Sequence, residues 1–282
     1  MNKIIWISSY PKSGNTWVRY FLANYFFNKE KKFDYNILKF IKKFPDDFVE
    51  LEQICSAKEI NENPFNISKY WLKTQELIKI QSGNVIFLKN HNALVSINKN
   101  DFTNEILSLA SIYIVRDPRD IVVSYANFKN ISYDKAIDQI CSDKLLYFKE
   151  EKKNNFPKVE IVGSWKFNYT SWRDGVKNMP KLIIKYEDLI EKPKKNFRII
   201  LNFLSRILKI NISEEMLELS LQYSDFQLLQ SYEKKYGFNE NNSQNLFFRN
   251  GKIESWRNEL NKSQISKIEN YCSNEMQYLH YI

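Results

Sequence analysis

The sequence predicts an α/β protein with a central parallel sheet and helices on both faces. Short, continuous apolar runs alternate with segments whose apolar residues recur every three or four positions. Strands that are apolar on both faces are typical of parallel sheets covered by helices on each side. The 282 residues, 43% apolar and 27% charged, fit one domain over residues 1–282 and exclude a disordered chain or a small disulfide scaffold.

The predicted elements follow one another in this alternation. A strand at Ile4–Ser8 leads through the turn Tyr10–Asn15 into a helix at Thr16–Asn28. The later strands are Val85–Leu88, Ser111–Val115 and Leu182–Ile184, and the later helices are Ile121–Phe128 and Pro193–Leu208. Ligands of such sheets bind at the carboxyl ends of the strands. Each predicted strand is followed by polar residues that include Lys, His or Arg, which indicates a site at that edge.

Two segments depart from the alternation. Residues 28–82 are predicted as a mainly helical insertion that lines a substrate pocket. Residues 232–248 are polar and weakly periodic, which predicts a mobile loop over the site. The three cysteines are odd in number and far apart, and with no signal-peptide pattern they favour a cytoplasmic protein.

The net charge of +9 favours anionic partners such as nucleic acid, a membrane surface or a highly charged small molecule. Surface lysines of no specific function explain the charge about as well. No apolar run approaches the length needed to cross a bilayer. The chain has two histidines, His91 and His280, so a histidine-based zinc site is not expected.

The first chemical motif is the turn between the first strand and the first helix, Tyr10-Pro-Lys-Ser-Gly-Asn-Thr-Trp17. Free backbone N–H groups at a helix N-terminus attract anions, and Gly14 lets the backbone approach closely. Lys12 adds a positive charge, but it precedes the glycine, so this is not a Walker A loop. An ordinary capped helix start is the alternative interpretation.

This motif resembles the first cofactor loop of the sulfotransferases that use 3′-phosphoadenosine 5′-phosphosulfate (PAPS), most closely the cytosolic branch. The resemblance implies a P-loop-like nucleotide-binding sulfotransferase fold. It also implies that the loop holds the 5′-phosphosulfate through Lys12, Ser13, Gly14, Asn15, Thr16 and Trp17, with Trp17 on the adenine. The family usually has Thr where this chain has Asn15.

Further motifs extend the resemblance toward a second phosphate. Arg116 ends a strand and Ser124 follows in a helix, which resembles the 3′-phosphate site of the family. Phe248-Arg-Asn-Gly251 resembles its C-terminal Arg-Lys-Gly, so Arg249, Asn250 and Gly251 are expected to close over the same phosphate, with one charge fewer. The remaining positions that the resemblance assigns to the adenine are Tyr186, Ser224 and Phe226.

Lys89-Asn-His91 resembles the Lys-Thr-His of the family. The resemblance implies transfer of a sulfuryl group to a hydroxyl or amine by in-line displacement, with His91 as general base. Lys12 and Lys89 complete the predicted catalytic set, and PAP (3′-phosphoadenosine 5′-phosphate) is the product. An imidazole is suited to removing a proton at neutral pH, and the layout requires no metal.

Two alternatives stay open. A P-loop-type kinase using ATP and magnesium shares the anion loop, but it leaves Arg116, Ser124 and Arg249 without a role. A basic nucleic-acid-binding protein fits the charge, but no basic stripe or known motif supports it. The acceptor is expected to be a small molecule, with no nucleic acid partner and no membrane insertion, and the dimer motif of the family is not evident near Leu260–Ser263.

Overall fold

The computed structural model describes residues 3–45, 47–78, 85–145, 147–151, 156–241, 243 and 245–282. The chain divides into two compact units, each built from three separate segments. Unit 1 comprises Met1–Tyr10, Ile41–Tyr113 and Cys141–Ile183. Unit 2 comprises Pro11–Phe40, Ile114–Ile140 and Ile184–Ile282.

The strands of the described residues are β1 Lys3–Ser9, β2 Lys42–Lys43, β3 Val85–Asn90, β4 Ser96–Ile97, β5 Asn100–Asp101, β6 Ser108–Val115, β7 Tyr147–Glu151, β8 Pro157–Ile161 and β9 Lys181–Lys185. The α-helices are α1 Asn15–Phe27, α2 Val49–Ile54, α3 Ala57–Glu62, α4 Trp71–Leu77, α5 Pro118–Lys129, α6 Tyr133–Ile140, α7 Trp165–Asp174, α8 Tyr186–Glu191, α9 Pro193–Leu208, α10 Glu214–Tyr223, α11 Phe226–Tyr236, α12 Trp256–Glu259 and α13 Lys262–Tyr278. Two 3₁₀ helices cover Ile37–Phe40 and Pro64–Tyr70.

The main sheet has the strand order β2-β3-β1-β6-β9. β3 pairs in parallel with β1, and the register places Asn90 beside Ser8. β2 also pairs in parallel with β3. The predicted α/β class with a central parallel sheet is confirmed, and each predicted strand and helix of the alternation is present with ends shifted by a few residues at most.

The sequence pattern did not reveal three features of the sheets. β2 is a two-residue strand of lysines inside the predicted insertion 28–82, and only its pairing with a distant strand makes it part of the sheet. β4 pairs with β5, and β7 pairs with β8, as antiparallel hairpins. Helical segments make up much of the rest of 28–82, while residues 79–82 lie outside the described part of the chain.

The predicted loop 232–248 is wrong at its start, because α11 continues to Tyr236. Asp225 caps the helix by accepting a hydrogen bond from the N–H of Leu228, and Leu229 and Glu233 bury one face of it. Gly237, with φ of 74°, ends the helix. The sequence pattern did not reveal the end of this helix, because one of its buried positions is a glutamate, Glu233, rather than an apolar residue. Mobility of the remaining loop stays a prediction.

Each unit has its own aromatic core. In unit 1, the fully buried Trp6 contacts Phe44, Phe102 and Trp172 at ring-centroid distances of 5.4, 5.1 and 6.4 Å. In unit 2, Phe21 stacks on Phe197 at 4.1 Å. Buried rings of this size contribute roughly 1.5–3 kcal/mol each, so these clusters anchor the middle of β1 and of α1. The two elements flank the predicted anion loop.

Candidate functional site

The loop between β1 and α1 has the backbone geometry of an anion site. Lys12 and Gly14 both have positive φ, at 69° and 92°. A Cβ at Gly14 would collide with the ring of Tyr186, so only glycine fits both the dihedral and the space. In the described residues no side chain caps α1 and its first turn contains no acid, which leaves its N-terminal N–H groups directed at the loop.

Lys12 lies in an unusual environment for a lysine. Its ammonium Nζ lies 4.1 Å from the ring centroid of Phe128 and 4.2 Å from that of Phe247. Within the described part of the chain, no carboxylate forms an ion pair with it. Burial, followed by the positive charges of Arg116 and Arg249, lowers the pKa of Lys12 to about 7. A bound anionic ligand would therefore stabilise the charged form of Lys12.

Arg116 is held beside the same loop. Its Nη1 donates to the carbonyl oxygen of Lys12 at 3.0 Å, and its Nη2 donates to that of Lys252 at 3.1 Å. Its guanidinium lies 4.5 Å from the ring centroid of Tyr186. The carboxylate of Asp120 lies 4.0 Å from Nη2 and accepts hydrogen bonds from the N–H groups of Glu254 and Trp256. The predicted second and third motifs therefore meet in unit 2.

Arg119 differs sharply from Arg116, although the two are three residues apart. It forms ion pairs of 2.6 Å with Asp117 and with Glu269. Its guanidinium also lies 3.9 Å from the ring centroid of Trp256. These short ion pairs give Arg119 a structural role, whereas the contact of Arg116 with Asp120 is longer, at 4.0 Å.

The predicted adenine residues gather around these groups. Trp17 meets Tyr186 edge to face at 6.1 Å. Phe226 begins α11, and its ring lies so close to Gly251 that a Cβ there would approach it to 2.7 Å. Ser224 is buried and donates its hydroxyl to the carbonyl oxygen of Ser220, so its contact with a ligand stays a prediction.

The other residues predicted to bind the 3′-phosphate are partly or largely exposed. Arg249 is exposed and reaches Glu259 at 3.4 Å, and Asn250 donates to Ser255 at 3.3 Å. Ser124 lies half-buried on α5. Glu233, which the sequence did not single out, accepts the N–H groups of Phe247 and Phe248 at 2.7 and 2.8 Å. It thereby holds the segment that carries Arg249.

His91 follows the last residue of β3 in unit 1. Its Nδ1 lies 2.7 Å from the carbonyl oxygen of Ser9 and 3.3 Å from the Ser9 hydroxyl. A carbonyl only accepts, so Nδ1 carries the proton, and in a neutral ring Nε2 is then the acceptor nitrogen. Asn168 donates to the carbonyl oxygen of His91 at 3.0 Å and fixes the turn. This tautomer is the one that a general base acting through Nε2 needs.

Lys89, the other unit 1 residue predicted as catalytic, is paired with an acid. Its Nζ lies 3.1 Å from Oε1 of Glu160, and both side chains are largely buried. Burial raises the pKa of Glu160, but the charges of Lys89 and His91 outweigh this and lower it overall. Glu160 was missed because it lies on β8, 71 residues from Lys89, with no motif around it.

The loop also passes a direct test of fit for a phosphate-type ligand. The hydroxyl of Ser13 is fully buried and has no hydrogen-bond partner in the described structure. A buried hydroxyl without a partner is costly, and a ligand oxygen satisfies it. Together with the Lys12 ammonium and the N-terminus of α1, it forms a donor set that suits phosphate or sulfate oxygens.

A parallel sheet with an anion loop after its first strand defines a P-loop-like α/β protein. The model of the Sulfotransferase domain matches residues 2–280. The chain therefore belongs to the sulfotransferase family, and the family and enzyme class predicted from the motifs are confirmed. Sulfotransferase 1B1 of Canis lupus familiaris is 21% identical over 284 residues, which cover 96% of this chain and 82% of that protein.

Solved structures agree on the fold. The crystal structure of mouse sulfotransferase SULT7A1 complexed with PAP aligns with a TM-score of 0.58 and 19% identity, over 98% of this chain and 85% of that one. Retinol dehydratase in complex with androsterone and the inactive cofactor PAP aligns with a TM-score of 0.62 and 16% identity, over 97% and 80%. No helix in the described residues is long and apolar enough to cross a membrane.

Proposed function

We propose that this protein transfers a sulfuryl group from PAPS to a hydroxyl or amine of a small-molecule acceptor. The observation that carries the proposal is the Lys12 ammonium, enclosed by rings beside Arg116 and without a carboxylate partner in the described residues. Such a site stabilises a highly charged anion. The PAP complexes of two related folds support PAPS as that anion.

The roles of the residues follow from their chemistry. Lys12, Ser13 and the N-terminus of α1 bind the 5′-phosphosulfate end, while Arg116, with Ser124, Arg249 and the backbone of 250–251, binds the 3′-phosphate. Trp17, Tyr186 and Phe226 enclose the adenine. PAPS supplies an activated sulfur whose leaving group is a phosphate oxygen. Lys12 stabilises the negative charge that develops on this oxygen.

His91 acts on the acceptor. Its Nε2 takes the proton of the acceptor hydroxyl or amine as the acceptor oxygen or nitrogen forms its bond to sulfur. The sulfur–oxygen bond to the phosphate breaks at the same time, and PAP departs with that electron pair. Lys89 holds the sulfuryl group during transfer. Ser9 keeps the His91 ring in the tautomer that this step requires.

The acceptor class and location complete the proposal. The insertion 28–82 lines the acceptor pocket, and the androsterone complex of a related fold favours a steroid-like alcohol or phenol for the first trials. We also propose a cytoplasmic location, since Cys55, Cys141 and Cys272 form no disulfide bond.

Calorimetric titration with PAP, and with ATP plus magnesium, tests the donor. We expect PAP to bind and ATP to bind far more weakly. Transfer of ³⁵S from labelled PAPS to a panel of 2-naphthol, 4-nitrophenol, androsterone, a primary amine and a sugar tests the reaction. Equal binding of both nucleotides, or no release of PAP from PAPS with any acceptor, contradicts the proposal.

The variant His91→Asn tests the base. Its amide still donates to the carbonyl of Ser9, but it offers no basic nitrogen at the position of Nε2. We expect turnover to fall by about 10²–10⁴ while the affinity for PAP stays unchanged. Retained turnover rules out His91 as the base, and lost PAP affinity assigns it to binding.

A further inference from the structure

Glu160 and Lys89 form a largely buried ion pair in unit 1. Nζ of Lys89 lies 3.1 Å from Oε1 of Glu160, and the two side chains are 10% and 15% exposed. An ammonium at such a depth is strongly disfavoured without a nearby negative charge. The pair therefore fixes both the position and the charge of a lysine that sits two residues before His91.

Hydrogen bonds hold Glu160 rigidly against this segment. The N–H of Ile161, its chain neighbour, donates to Oδ1 of Asn92 at 2.6 Å, and the N–H of Ala93 donates to the carbonyl oxygen of Ile161 at 2.8 Å. The end of β8 is thus fastened to the turn that follows His91. Glu160 is presented to Lys89 from a braced strand rather than from a loose loop.

The charges around Glu160 are mostly positive. Lys43 of β2 is the register partner of Lys89 on β3, and His91 follows β3. Although burial raises the pKa of Glu160, the charges of Lys89, His91 and Lys43 lower it overall, so Glu160 stays ionised at neutral pH. The Glu160 carboxylate therefore offsets positive charge contributed by Lys89 and Lys43.

We propose that Glu160 is a positioning residue of the transfer reaction, which holds Lys89 charged and oriented to act on the sulfuryl group. The inference rests on the proposed function. Glu160 does not touch the reacting atoms; it acts through Lys89. Its loss therefore impairs the chemical step, kcat, more than the binding of PAPS.

The test uses Glu160→Gln, which keeps shape and hydrogen bonding but removes the charge, and Glu160→Asp, which restores the charge. The control is Glu105→Gln, an exposed glutamate of the same unit that accepts a hydrogen bond from Asn178. We measure ³⁵S transfer from PAPS to the best acceptor of the panel, and PAP affinity by calorimetry. We expect kcat of Glu160→Gln to fall at least about tenfold with unchanged PAP affinity, and Glu160→Asp to recover most of it.

The pH dependence of kcat distinguishes a positioning role from a purely structural role, because a purely structural role would not shift it. Removal of the Glu160 carboxylate from beside a buried ammonium makes that ammonium lose its proton more readily, and Lys43, its register partner on β2, supplies no negative charge in its place. The alkaline limb of kcat in Glu160→Gln should therefore move to lower pH and return in Glu160→Asp. The double variant Lys89→Met/Glu160→Gln should be no slower than Lys89→Met, because Glu160 acts through Lys89.

The outcomes separate this inference from the proposed function. A wild-type protein that binds no PAP and transfers no sulfuryl group overturns both. An active wild type with a Glu160→Gln variant of equal kcat and equal pH profile overturns the role of Glu160 alone. Additive losses in the double variant, or lost PAP affinity in Glu160→Gln, also overturn it, since either shows an effect that does not pass through Lys89.

Discussion

The two lysines assigned to catalysis are stabilised in opposite ways. Lys12 in unit 2 lies between the rings of Phe128 and Phe247 and, in the described residues, has no carboxylate partner. Lys89 in unit 1 is paired with Glu160 at 3.1 Å. The first arrangement needs an external anion to offset its charge, whereas the second is already balanced. The difference supports the roles proposed above, in which Lys12 binds the anionic donor and Glu160 holds Lys89 in place for the sulfuryl group.

The largest effect expected from this comparison is on turnover. Lys12→Met should reduce kcat for sulfuryl transfer by about 10³, because it removes the charge that stabilises the leaving oxygen. Steady-state transfer of ³⁵S from PAPS measures it. Lys262→Met, at an exposed lysine that begins α13, should leave kcat unchanged. A similar loss in both variants means that overall charge, not the Lys12 site, governs the rate.

The next effect concerns two neighbouring arginines. Arg116→Ala should weaken PAP binding by about 100-fold, because it removes the guanidinium that the proposed function assigns to the 3′-phosphate. Arg119→Lys should leave PAP affinity unchanged but lower the melting temperature, since Arg119 is paired with Asp117 and Glu269. Calorimetry and thermal unfolding measure the two properties. If Arg119→Lys weakens PAP binding and Arg116→Ala only lowers the melting temperature, the roles given to the two arginines are wrong.

Stability should distinguish the two lysines by the sign of the change. Lys89→Met leaves the buried charge of Glu160 without a partner and should lower the free energy of unfolding by about 2 kcal/mol. Lys12→Met removes a cation that is poorly solvated and has no such partner, so stability at pH 7 should stay level or rise by up to about 1 kcal/mol. Urea unfolding measures both. An equal loss of unfolding free energy in the two variants would contradict the difference proposed between the two lysines.

The smallest expected effect is the uptake of a proton when PAP binds. Because burial and neighbouring cations lower the pKa of Lys12 to about 7, this group is mostly neutral at pH 8 in the free protein. A bound polyanion favours the charged form, so PAP binding at pH 8 should take up close to one proton. Affinity should accordingly fall as pH rises above 7. Calorimetry in buffers of different ionisation enthalpy counts the proton, and Lys12→Arg should abolish the uptake.

Short-range pattern predicted most of the fold and much of the candidate site. β1, α1 and α5 follow from runs and periods within a few residues, and so does the placement of Lys12 and Arg116 after strands. The covering of Lys12 by Phe247, 235 positions away, depends on packing that no local pattern encodes. The same is true of Glu160 and of β2. The periodicity of apolar residues did not predict the end of α11, because a glutamate, Glu233, occupies one of its buried positions.

The chain passes between the two units at 10/11, 40/41, 113/114, 140/141 and 183/184. Neither half is a continuous polypeptide, so no single cleavage or truncation releases one as an intact fragment. Replacement of the unit that contains His91 by the corresponding part of another enzyme would therefore require several simultaneous splices rather than one.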